Sequence, residues 1–183
     1  MKSTVFTIVS IIIAAALLAG LSVVLQGPIE KAELDYKSQT YLQVWPDAAG
    51  FGEIDGIEGK LAEANAQLVQ EYNGASVTEA LAVLGGDGAT AGYVLTASSP
   101  NGYGGELSAV LAVQDGKVTG FMPVVMNETP GFGAECSGES YRSGMAGVAS
   151  PDQVDAISGA TITTNAIKEL VGAALAFAGG YAE

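Results

Sequence analysis

From Val5 to Leu25 the chain runs for 21 residues without a charge, VFTIVSIIIAAALLAGLSVVL, and Lys2 is the only charged side chain before it. At about 1.5 Å of rise per residue, a helix of this length crosses the ~30 Å hydrocarbon core of a bilayer. Gln26-Gly27-Pro28 then ends the run. The segment is predicted to be a transmembrane helix. A cleaved signal peptide is the alternative; its apolar core is typically shorter, about 7–15 residues, although residues 14–19 offer small-residue cleavage sites. Lys2 on the cytoplasmic side leaves the remainder of the chain outside the cell membrane. The chain thus divides into a cytoplasmic N-terminus (1–4), a single membrane span (5–25), a membrane-proximal helical region (26–75) and a domain over 76–183.

What lies beyond the span is acidic. The whole chain has 7 Lys+Arg against 20 Asp+Glu, and only Lys2 of these lies before residue 26. Binding of nucleic acid needs clustered Lys and Arg, so that class is excluded. There is no histidine and one cysteine, Cys136. Ser-His-Asp and Cys-His nucleophiles, imidazole-ligated metals, internal disulfides and thiolate clusters are all excluded with them. Carboxylate and cofactor chemistry remain.

Residues 29–45 read as a polar-faced helix, 46–59 as loop and 60–72 as a helix. Val77–Leu84 and Thr90–Ser98 form a hairpin signalled by Gly85-Gly86-Asp87-Gly88. Pro100–Gly105, PNGYGG, reads as a glycine-dense loop. Glu106–Val113 and Lys117–Met126 form a second hairpin through Asp115-Gly116, with Pro123 marking an edge or a bulge. Asn127–Ser150 reads as a long loop with few large apolar residues. Ile162–Ala178 has helical apolar spacing, stopped by Gly179-Gly180. The fold class is α+β: an antiparallel, hairpin-built sheet with packed helices, preceded by one transmembrane helix.

Chemistry points to Asp155-Ala-Ile-Ser-Gly-Ala-Thr161, read as a strand end, a turn and a helix N-terminus. Such a terminus suits a phosphate, or its threonines (Thr161, Thr163, Thr164) merely cap the helix. The stretch resembles the Asp-x-x-Ser/Thr-Gly-Ala-Thr/Ser motif of the FMN-binding domain family. Gly102-Tyr-Gly-Gly105 and Asn127-Glu-Thr-Pro-Gly-Phe-Gly133 resemble the same family in order and spacing. One N-terminal anchor ahead of such a domain is similar to the G subunits of Rnf-type complexes and to the related C subunits of sodium-pumping NADH:quinone reductases.

The resemblance implies that 76–183 is an FMN-binding domain carrying FMN through a phosphoester on Thr161. A flavin transferase would attach it from FAD with Mg²⁺. Ser158 and Gly159 would line the phosphate, Ala160 beside them would belong to the cofactor site, and Asp155 would position the loop or help the transferase handle its metal. Glu128 and Thr129 would lie near the flavin, which without the resemblance leaves Glu128 an exposed acid. Pro130, Gly131, Phe132 and Gly133 would offer a rigid turn and an apolar face, and Tyr103, beside Gly104, a ring to stack. Phe132 stands where the family commonly has Leu, and Cys136 has no place in the pattern. The implied partners are other subunits of a membrane electron-transport complex coupling ferredoxin:NAD⁺ oxidoreduction to Na⁺ or H⁺ transport. A stand-alone surface flavoprotein and a pilin-like assembly protein are the rivals; the latter lacks the acid expected near the start of a pilin helix.

Overall fold

The computed structural model describes residues 39–182, so the predicted membrane span and the first part of the 29–45 helix lie outside the described residues. Residues 39–44 are helical. No helix among the described residues is long and apolar enough to cross a membrane. Residues from Thr40 onward form one compact unit.

Five strands run β1 (Gly50–Gly52), β2 (Ser76–Leu84), β3 (Thr90–Gly102), β4 (Gly105–Gln114) and β5 (Lys117–Val125). Each pairs antiparallel with the next, so the sheet is an unbroken meander in sequence order. The β4–β5 turn is Asp115-Gly116 with φ of 50° and 70°, the left-handed pair that a two-residue hairpin requires. β5 is an edge strand, and its register slips so that Ser108 faces Val125 while Ala109 faces Pro123. Both expectations for Pro123 therefore hold, because a residue without N–H is tolerated at such a place.

Besides the helical residues 39–44, three helices among the described residues accompany the sheet: α1 (Ile57–Glu71), α2 (Glu139–Gly144) and α3 (Thr161–Gly180). Helix α3 buries Ala166, Ile167, Leu170, Val171, Ala174 and Phe177 in the larger core, together with Leu95, Ala97, Leu107, Ala109 and Leu111 of β3 and β4. α1 adds Ala64 and Leu68 to it. Small residues on α3 let the helix axis sit close to the sheet, while Phe177 and Leu170 supply area. At about 25 cal/mol per Å² of apolar surface removed from water, this is the main stabilising layer. The opposite face of the sheet carries a second cluster, Val83, Val94, Val110 and Ala112 beneath Tyr41, Val44 and Trp45.

Several local expectations are corrected. PNGYGG is not a loop: β3 continues to Gly102, β4 starts at Gly105, and only Tyr103-Gly104 turn between them. β2 ends opposite Ser98, so Pro100 removes no ladder bond on that side. The 46–59 loop contains β1, and α1 begins at Ile57 rather than 60. Gly179-Gly180 does not stop α3; the helix runs through both and closes with Tyr181 N–H donating to the Phe177 carbonyl. The 127–150 segment contains a 3-10 turn at Gly133–Ser137 and α2, and buries Cys136, Met145 and Val148. Its end ties to β5 by two backbone bonds of 2.8 Å, Val118 N–H to Val148 and Gly147 N–H to Val118. The element that leads directly into the Asp155 motif is a 3-10 turn, Pro151–Gln153, and not a strand end.

Candidate functional site

Helix α3 begins at Thr161, with Ala160 at the cap position and no side-chain capping bond. Its first-turn N–H groups are therefore left for a ligand or solvent. Thr164 spends its hydroxyl elsewhere: Oγ1 accepts from Ile157 N–H at 3.0 Å and donates to the Ala160 carbonyl at 3.0 Å. Those two bonds fix the Ile157–Ala160 turn, in which Gly159 takes a left-handed φ of 75°. Thr161 is exposed, and its hydroxyl makes no hydrogen bond within the described residues. The capping reading thus fails for Thr161, and the fold leaves its hydroxyl exposed at the positive end of a helix dipole.

Beside it opens a cleft of about 450 Å³, lined by residues of all three motifs. Tyr103 comes from the β3–β4 turn. Glu128, Thr129, Phe132 and Gly133 come from the segment after β5, and Gly159, Ala160 and Thr161 from the loop into α3. A volume of this order is within the usual range for small-molecule sites, roughly 300–1,000 Å³. Tyr103 is 67% exposed, Phe132 50% and Ile162 51%, so three apolar side chains stand open at one cleft. A Cβ on Gly159 would lie 3.0 Å from the Phe132 ring, which shows how closely the second and third motifs meet.

The polar floor of the cleft is Glu128. The reading of an exposed acid is corrected: Glu128 is 9% exposed. Its Oε2 accepts from Thr163 Oγ1 at 2.5 Å, and its Oε1 receives the Gly104 N–H at a long 3.4 Å. Cys136 lies behind it, fully buried, its Sγ 3.7 Å from Met126 Sδ. Burial, and next the Glu128 charge, push that thiol up to about 11. It is no redox thiol at neutral pH.

Not every expected residue reaches the cleft. Asp155 is exposed and lines a separate indentation with Glu135, Tyr141 and Ile157, where Tyr141 donates to the Asp155 backbone carbonyl at 3.1 Å. Ser158 is exposed on the turn and is not among the cleft-lining residues. Gly131, with φ of 77°, shapes the turn ahead of Phe132 without lining the cleft, and Gly104 takes part only through its N–H. Conversely, Ile162 and Thr163 line it. Ile162 read only as part of an apolar helix face and Thr163 only as a possible cap, and no sequence signal marks either.

The donor set fits a flavin mononucleotide. Uncapped N–H groups and a helix dipole meet a phosphate, a free hydroxyl stands at that end, and exposed aromatic surface flanks the rest.

Comparison with known proteins agrees. Residues 102–176 match the FMN-binding domain family, a segment that contains all three motifs. The G subunit of the Na(+)-translocating ferredoxin:NAD(+) oxidoreductase complex of Acetobacterium woodii is 27% identical over 175 residues, covering 85% of this chain and 80% of the relative. The G subunit of the proton-translocating ferredoxin:NAD(+) oxidoreductase complex of Clostridium ljungdahlii is 37% identical over 107 residues, 50% of this chain and 57% of the relative. The G subunit of an ion-translocating oxidoreductase complex of Methanosarcina acetivorans is 26% identical over 183 residues, 95% of this chain and 92% of the relative.

Proposed function

We propose that this chain, which carries an FMN-binding domain, is the electron-transferring flavoprotein subunit of an ion-translocating ferredoxin:NAD⁺ oxidoreductase, with FMN held covalently on Thr161. The observation that carries the reading is the convergence of three separated motifs on one cleft whose rim holds the unbonded Thr161 hydroxyl. The similarity to three G subunits supports the complex; it leaves the transported ion open between Na⁺ and H⁺.

FMN supplies the redox centre in such a subunit, and the protein sets access and potential. Attachment balances as a phosphoryl transfer. The Thr161 oxygen would bond to the FMN-side phosphorus of FAD, with AMP as the leaving group and the hydroxyl proton passing to the transferase or solvent. The product is a phosphodiester with a permanent negative charge in an already acidic protein. Free N–H groups at Thr161, Ile162 and Thr163 and the α3 dipole offset that charge. Tyr103, Phe132 and Ile162 offer apolar surface to a ring, and their exposure keeps the cleft open to a partner subunit. Attachment by the phosphate end keeps the cofactor from diffusing away while leaving its ring chemistry unmodified. Residues 5–25 would anchor the domain in the cell membrane as a single pass, with the N-terminus cytoplasmic and the domain outside.

The test is in-gel flavin fluorescence after denaturing electrophoresis of the full chain co-expressed with a flavin transferase. A fluorescent band is expected from wild type and none from Thr161→Ala. A dark wild-type band, or a fluorescent Thr161→Ala band, sinks the covalent mechanism.

A further inference from the structure

Glu128 is an acid set inside the protein with space reserved for it. A Cβ on Gly102 would lie 2.8 Å from its Oε1, and a Cβ on Gly133 would lie 2.5 Å from its Oε2 and closer still to Thr163 Oγ1. Alanine at either place would invade the volume that the carboxylate occupies. Both of its hydrogen-bond partners, the Thr163 hydroxyl and the Gly104 N–H, are neutral. A buried carboxylate held by neutral donors keeps most of its field, because low-dielectric surroundings screen it poorly. That field is already felt at Cys136, whose thiol it helps to hold protonated. Glu128 lines the same cleft as Thr161, and its carboxylate accepts from Thr163 in the first turn of the same helix.

We infer that Glu128 is the residue that sets the redox poise of this cleft. Its fixed negative charge opposes the added electron density of a reduced flavin and so keeps the midpoint potential low. Thr163 is the positioning residue that holds the carboxylate in that place. The inference rests on the reading that the cleft holds FMN, and goes beyond it by naming the side chain that tunes the cofactor rather than those that bind it.

The experiment is a spectroelectrochemical redox titration of the full chain after co-expression with the transferase. Glu128→Gln keeps the shape and an oxygen to accept from Thr163, and removes the charge. Its midpoint potential should rise by at least a tenfold change in the one-electron equilibrium, about 59 mV. Glu128→Asp, which keeps the charge, should stay nearer wild type than Gln does. Glu106→Gln, an exposed acid on the β3–β4 hairpin, controls for the general effect of one negative charge and should shift the potential less. A Gln variant that loads flavin at the wild-type potential, or one that shifts no more than Glu106→Gln, overturns the inference. If the Gln variant does not load, Thr163→Val decides. It removes the bond that holds the carboxylate in place, so the potential should shift, and an unchanged potential there overturns the inference equally. A wild-type chain without a fluorescent band is a different failure, of the FMN reading itself, and is visible on the gel before any titration.

Discussion

On each side of the sheet, this domain brings a group against a backbone that lacks a Cβ, and the two places serve opposite ends. Beneath Trp45, Gly92 of β3 lies flat: a Cβ there would sit 2.8 Å from the indole and 2.5 Å from the Val113 carbonyl of β4. The reserved space admits an aromatic ring to an apolar cluster with Tyr41, Val44 and Val94, and the return is stability. At the cleft, Gly102 and Gly133 reserve space for a carboxylate. Burying an acid among neutral donors costs stability, and the task proposed for it at the flavin accounts for that cost. The same residue type therefore marks a packing device on one face and a functional one on the other. A count of 25 glycines distinguishes neither.

Substitution at the two places should separate them. Gly92→Ala should have the larger effect on folding, because the atom it meets first is a backbone oxygen in a paired strand, where Tyr93 faces Val113. A loss of about 1–3 kcal/mol is expected from overpacking of this kind, read from the denaturant midpoint. Flavin per folded molecule should be unchanged. A Gly92→Ala protein as stable as wild type would break the contrast on the packing side.

Gly133→Ala should show the reverse signature. Its new methyl meets side chains rather than backbone: Thr163 Oγ1 and Glu128 Oε2, with the Glu128 Cβ at 3.1 Å. The stability loss should be about 1 kcal/mol, in line with one disturbed hydrogen bond. The cleft should respond more: with the Glu128–Thr163 bond broken, flavin fluorescence or potential should change in the loaded protein. Equal stability losses at Gly92 and Gly133, with no change in the flavin, would erase the distinction.

Much of this was legible from residues, and the gaps have physical causes. The two hairpins followed from Asp115-Gly116 and the Gly85–Gly88 cluster, because left-handed turn geometry restricts residue type strongly. PNGYGG misled because proline and glycine break strands only where a ladder bond or a side chain is needed, and β3 outruns its β2 partner there. Gly179-Gly180 misled likewise: Phe177 and Ala178 are anchored in the core, and Tyr181 stacks on Phe177 at 6.1 Å, so packing carries the helix past them. The place of Thr161 at the start of α3 was legible in its motif. Glu128's burial and Thr163's partnership were not, since they depend on two segments 35 residues apart meeting in space. Spacing along a chain does not encode such a meeting.

The smallest expected effect is also a probe of the cleft that needs no flavin. Cys136 sits behind Glu128, and its thiol is raised above an ordinary value of about 8.5 to about 11, first by burial and then by the Glu128 charge, with Glu135 adding less. A thiol whose folded value exceeds its unfolded one stabilises the native state fully below the unfolded value. That contribution is lost as pH rises through about 11, so stability should decline with pH across this window. Tyr141, whose phenol is raised by burial and by Cys136, adds a further decline at higher pH. An NMR titration of carbon-13-labelled cysteine in Thr161→Ala protein should therefore find the thiol still protonated at pH 9. In the same background Glu128→Gln should lower its titration point slightly, because one of the charges that holds the proton is gone. A thiol that titrates near 8.5 would mean that the region behind the cleft is wetter than its packing indicates. A titration point unmoved by Glu128→Gln would mean that the carboxylate's field does not reach even its buried neighbour, and the comparison between a packing glycine and a functional one would lose its electrostatic half.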